Sequence, residues 1–128
     1  MKNKIIAGLV LFLAGVLIGF VPQYMKLTDT EHQLDVYKRA DAINDFRNRF
    51  ALLYFETAKN NFSVGLTMAS KQFTDMRAFA DQTSDQSLKN ALGDVLSSRD
   101  SIIAGLAKAD PATGAQVQTL FMKMQKIE

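Results

Sequence analysis

The sequence contains no cysteine, a single histidine and only two prolines in 128 residues. Without cysteine there is no disulfide framework, no thiolate zinc site, no iron–sulfur centre and no cysteine nucleophile. With His32 as the lone imidazole, histidine-based catalytic and metal constellations lack a second member. Strand signals are missing too. No β-branched runs alternate with polar residues, and no Asn-Gly or Asp-Gly pair offers a hairpin turn. There is no Gly-rich phosphate loop. No basic stripe is interleaved with aromatics, which argues against a nucleic-acid partner.

Apolar residues are unevenly distributed. Ile5 to Val21 are seventeen consecutive residues that are apolar or glycine, preceded by Lys2 and Lys4. A helix of that length is about 26 Å long, just short of a hydrocarbon core of about 30 Å. Pro22 through Met25 extend it to spanning length, with Tyr24 at headgroup depth and Lys26 able to snorkel. A cleaved signal peptide has a shorter apolar core ending at a small-x-small site. Ile18-Gly19-Phe20-Val21-Pro22 offers no such site, and with no Cys a lipoprotein anchor is excluded. The expectation is an uncleaved transmembrane anchor over residues 1–25, with the lipid bilayer as first partner. Lysines before the span favour a cytoplasmic N-terminus in a cell or inner membrane, leaving the rest of the chain extracytoplasmic, in a periplasm. Within this run Gly15 and Gly19 form a GxxxG, and Gly8 lies one heptad earlier. Such glycines form a flat strip on which another helix can pack.

Beyond residue 22 the chain holds all 13 acidic residues and 13 of the 15 basic ones, so that part is formally neutral. Its apolar residues recur at helical spacing. Leu27, Leu34 and Tyr37 begin a stripe that continues through Ile43, Phe46, Phe50, Tyr54, Ala58 and Phe62 to Ala80. Asp29 or Thr30 is the expected cap of this helix. The stripe reads either as one helix over residues 29–82 or as two that meet near Asn61. Ser84 or Asp85 then caps a helix carrying Leu88, Leu92, Val95, Leu96, Ile102, Ile103 and Leu106. Asp110-Pro111 stops it and starts a last helix with Val117, Leu120, Phe121, Met124 and Ile127. Short connections imply antiparallel neighbours. The fold expected is all-α: the anchor, a coiled-coil-like stalk over residues 26–57, and an antiparallel helical bundle over residues 58–128.

Two features suggest packing surfaces. Phe50-Ala51-Leu52-Leu53-Tyr54-Phe55 is apolar around the whole helix, so Phe50, Tyr54 and Phe55 are either core or partner contacts. Gly93, Ser97, Ser101, Gly105 and Ala109 recur every four residues and predict a low ridge for a close helix neighbour. Asp41, Asp45 and Arg49 share a face and read as a solvated ion-paired surface rather than a metal site. The serines have neither a neighbouring base nor a nucleophile elbow. No catalytic residue, cofactor or metal is therefore expected. The leading expectation is a single-pass accessory or structural subunit that joins a membrane assembly, with itself or with other subunits. The alternative is a membrane-tethered bundle that binds a small apolar ligand among Phe46, Phe62, Phe73 and Phe79.

Overall fold

The computed structural model describes the backbone of residues 2–128 and the side chains of Ile6 and of residues 26–128. The chain is all-α, with no strand among the described residues. Five helices follow in order: α1 Lys2–Ala58, α2 Phe62–Gln82, α3 Gln86–Leu96, α4 Arg99–Ala107 and α5 Thr113–Gln125. Two compact units divide the chain, Met1–Arg39 and Ala40–Glu128. Among the described residues no helix is long and apolar enough to cross a membrane. Apart from Ile6, the expected anchor over residues 1–25 lies outside the residues whose side chains are described.

In the first unit, every residue from Lys26 to Lys38 is exposed. The expected cap at Asp29 or Thr30 is corrected here. Both residues lie inside α1, and the Thr30 hydroxyl donates 2.8 Å back to the Lys26 carbonyl. That bond satisfies the hydroxyl within the helix instead of opening a new one.

The second unit is the bundle, and it begins at Ala40 rather than at residue 58. The reason is that Ile43, Phe46, Phe50 and Leu53 of α1 are buried in the common core. They pack with Phe73 and Met76 of α2, Leu92 and Val95 of α3, Ile102 and Leu106 of α4, and Val117, Leu120 and Met124 of α5. Phe50 meets Phe73 edge to face at 5.8 Å between ring centres, and Phe46 meets Phe79 likewise at 5.8 Å. Such pairs add to simple area burial.

Contacts between helices define their directions. Gly65 of α2 faces Leu53 and Thr57 of α1, Gln72 reaches Phe46, and Phe79 packs on Phe46. Positions fall along α1 as they rise along α2, so the pair is antiparallel. Along α4 and α5, Gly105 faces Thr113 and Ser101 bonds Gln116, the same antiparallel sense. Within the bundle α2 also contacts α3 and α4, and α5 contacts both α3 and α4.

The question of one long helix or two is settled at Asn60, whose φ of 64° is left-handed. Its N–H donates to the Thr57 carbonyl at 3.0 Å, and the Asn61 N–H reaches the Glu56 carbonyl at 2.9 Å. This paired closure of the last carbonyls is a Schellman cap, and Asn tolerates the left-handed position better than other side chains. Downstream, Asp85 caps α3 as expected, its carboxylate accepting from the Leu88 N–H at 3.1 Å.

The single helix expected after Asp85 is in fact two, α3 and α4, divided at Ser97–Ser98. Here the Ser97 hydroxyl donates 2.7 Å to the Asp94 carbonyl, and the Ser98 N–H takes the tighter i−3 bond to Val95. Local bonding by serine competes with the helical ladder. A second Schellman closure ends α4, with Ala109 left-handed at φ 51° and the Asp110 N–H on the Gly105 carbonyl at 2.9 Å. Asp110 then accepts from the Ala112 N–H at 2.9 Å, so the expected stop at Asp110-Pro111 is formed. The expected restart there is corrected: these residues make a turn, and α5 begins at Thr113 with Ala112 in the cap position.

Candidate functional site

Interaction surfaces, rather than a reactive cleft, are what the sequence singled out, and the structure separates them residue by residue. Gly8, Gly15 and Gly19 lie outside the residues whose side chains are described. Of the aromatic segment, Phe50 is fully buried and Tyr54 half-buried, so both belong to the bundle. Phe55 is exposed and lies beneath the Lys59 ammonium, 4.0 Å from its ring centre. Leu52 is exposed on the same turn of α1 as Phe55, and Val64 is exposed at the start of α2. The segment is therefore half core and half surface: an all-apolar window on a helix gives no phase from which to choose.

The predicted small-residue ridge does not exist as a continuous feature. The break at Ser97–Ser98 splits it, with Gly93 on α3 and Ser101 and Gly105 on α4. Gly93 is exposed, and a Cβ there would meet nothing within 4 Å. Ser97 is exposed and spends its hydroxyl on the turn. Ser101 donates 2.9 Å to the Gln116 side chain of α5. Gly105 alone serves close packing: a Cβ there would overlap the Thr113 hydroxyl and stand 3.2 Å from Thr113 Cβ.

A charged cluster runs across α1 and α2. Arg49 donates 2.6 Å to Asp75 and pairs with Asp45 at 2.7 Å, and Lys71 donates 2.9 Å to the same Asp75 oxygen. Asp75, bonded by Lys71 and then by Arg49, is held below the ordinary aspartate range. Arg49 is pushed up, foremost by its bond to Asp75. At the end of α1, the Asn61 amide donates 2.6 Å to Glu56, which lowers that carboxyl in turn. Sequence reasoning anticipated the Asp45–Arg49 pair but not Asp75, because a partner twenty-six residues away leaves no spacing signal.

Arg47 was also missed. It donates 3.1 Å from Nε to the Met124 carbonyl and from Nη2 to the Ile127 carbonyl. These carbonyls lie in the last turn of α5 and just beyond it, a helix end that suits a cation. The buried Gln72 donates 3.3 Å to the Phe46 carbonyl, and its Oε1 has no partner.

Phe46 and Phe73 fill the core and Phe62 and Phe79 are packed against it, so these rings are occupied with each other. A surface groove of about 430 Å³ is lined by Asp85, Leu88, Ala91, Asp94, Lys123 and Ile127 among others, and contains no aromatic ring. Lys123 and Asp94 pair across it at 3.0 Å. His32 is exposed, and among the described residues no group of three acidic or imidazole side chains is placed to hold a metal. No protein family, no curated protein and no solved structure matches the chain.

Proposed function

We propose that the chain is a single-pass membrane-anchored accessory subunit, whose helical bundle is held at a bilayer and joins a larger assembly through helix surfaces. The observation that carries this reading is the uninterrupted apolar run Ile5–Val21, flanked by Lys2, Lys4 and Lys26. Seventeen residues without a charge, with no signal-peptidase-like site after them, suit an anchor that stays attached. The lysine distribution favours a cytoplasmic N-terminus and an extracytoplasmic bundle.

Support for an accessory rather than a chemical role comes from the bundle. Its buried polar side chains, Thr57, Gln72 and Thr113, are neutral, and its charged pairs lie at the surface as structural links. Meanwhile Leu27, Leu34 and Tyr37 in the first unit, and Leu52, Phe55 and Val64 in the second, hold apolar area in water. Exposed apolar area of this kind is a common mark of protein contact.

The test is the native size and composition of the full chain extracted in mild detergent, by light scattering and mass spectrometry. A defined homo-oligomer or a reproducible partner is expected, with Gly15→Ile/Gly19→Ile altering that size if the glycine strip contributes. A clean monomer with nothing bound would contradict the proposal.

A further inference from the structure

Within the first unit, α1 presents a seam that its own fold leaves uncovered. Leu27, Leu34 and Tyr37 are 65%, 51% and 69% exposed, and with Thr30 they follow a-d-a-d spacing over two heptads. We propose that residues 27–37 form a short parallel two-stranded coiled coil with a second copy of this chain. The proposal rests on the anchored reading above for its orientation, since two copies inserted in the same bilayer present this segment in parallel.

Three observations favour a second copy as the occupant. The first is charge. In this register Lys26 takes a g position and Glu31 the following e position. In a parallel pair each Lys26 therefore faces the other copy's Glu31, on both sides of the seam. Such g–e′ pairs choose partner and orientation more than they add affinity. The antiparallel alignment that stacks Leu27 on Tyr37 pairs e with e positions and sets Glu31 against the other copy's Glu31 instead, a like-charge contact.

The second is the polar member of the seam. Thr30 occupies a d position, yet its hydroxyl is already bonded to the Lys26 carbonyl at 2.8 Å. Covering it strands no donor, so it can be buried without the usual cost of an unmade hydrogen bond. The third is extent. The next a and d positions are Asp41 and Asn44, so the seam closes after Tyr37, just before the compact unit starts at Ala40. All thirteen residues from Lys26 to Lys38 are exposed. Val36, also exposed, is at a c position and lies outside the seam.

The absence of native cysteine makes the test direct. Single substitutions Leu27→Cys, Leu34→Cys and Tyr37→Cys are compared with His32→Cys and Asp35→Cys at f and b, in the full chain in cells under mild oxidation. A same-residue disulfide needs Cα atoms within about 7 Å, which a parallel seam supplies at a and d only. Cross-linked dimer is expected at the three seam positions and several-fold less at the two others. Lys26→Glu in the Leu34→Cys background is expected to lower cross-linking, and adding Glu31→Lys to restore it. Equal cross-linking at all five positions, or none at the seam, would overturn the proposal, as would indifference to both charge changes. Fractionating the same cells separates the two readings. Periodic cross-linking in a soluble chain would retain the seam and remove the anchor, whereas a membrane-bound chain without periodicity would do the reverse.

Discussion

Gly105 of α4 and Thr113 of α5 meet so closely that no Cβ fits between them: it would overlap the threonine hydroxyl and stand 3.2 Å from Thr113 Cβ. Thr113 is buried at the first residue of α5, so it cannot swing aside into solvent. Gly105→Ala is therefore expected to destabilise the bundle, by about 1–3 kcal/mol of overpacking set against a helix-propensity gain of about 1 kcal/mol. Gly93→Ala should do the opposite, since nothing lies within 4 Å of the added methyl. A gain of about 0.5–1 kcal/mol is expected there. Urea unfolding of both variants checks the pair.

Ala109 offers a third backbone test. It sits left-handed at φ 51° in the closure that ends α4, where a Cβ is disfavoured. Ala109→Gly is expected to stabilise by about 1 kcal/mol, visible as a raised midpoint in the same titration.

The aromatic segment divides sharply in energetic terms. Phe50→Ala removes a ring that is fully buried and packed on Phe73, so a loss of about 3–5 kcal/mol is expected. Phe55→Ala removes an exposed ring and should change stability by less than about 1 kcal/mol, the scale of its contact with Lys59. Comparable losses at the two positions would show that Phe55 is covered in the isolated chain.

Asp75 ties part of the bundle's stability to pH. Its folded carboxyl is held below the ordinary aspartate range by Lys71 and then Arg49. Its contribution is accordingly present above the ordinary aspartate value and is lost as pH falls from there through the lowered value. Thermal midpoints of the wild type and of Asp75→Asn should differ at neutral pH and converge on acidification. A difference that persists in strong acid would mean that Asp75 acts through packing, not charge.

Much of this architecture was legible before any coordinates, and the reasons are local. Asp85 announces its helix start because an N-cap bonds within three residues of itself, whereas Asp110 marks only a turn and α5 starts at Thr113. Core positions such as Phe46, Phe73, Leu92 and Leu120 follow from helical period alone. Other features need the tertiary context. The Ser97–Ser98 break leaves the apolar period unchanged, so the ridge through Gly93 and Gly105 looked continuous. The start of the bundle at Ala40 was hidden because a stalk and a core helix share one amphipathic pattern. Arg47 on the end of α5 and Arg49 on Asp75 join residues far apart in sequence. The exposed seam at Leu27, Leu34 and Tyr37 belonged to the first stripe that periodicity revealed, but only its exposure distinguishes it from core.

The most direct test of the anchored reading is whether the full chain stays with membranes through an alkaline wash that strips peripheral proteins. Retention is predicted for the wild type, and release for Leu13→Arg/Val16→Arg, since each arginine near the middle of a span costs about 2.5–3.5 kcal/mol on insertion scales. A wild-type chain that washes into the supernatant would contradict the account.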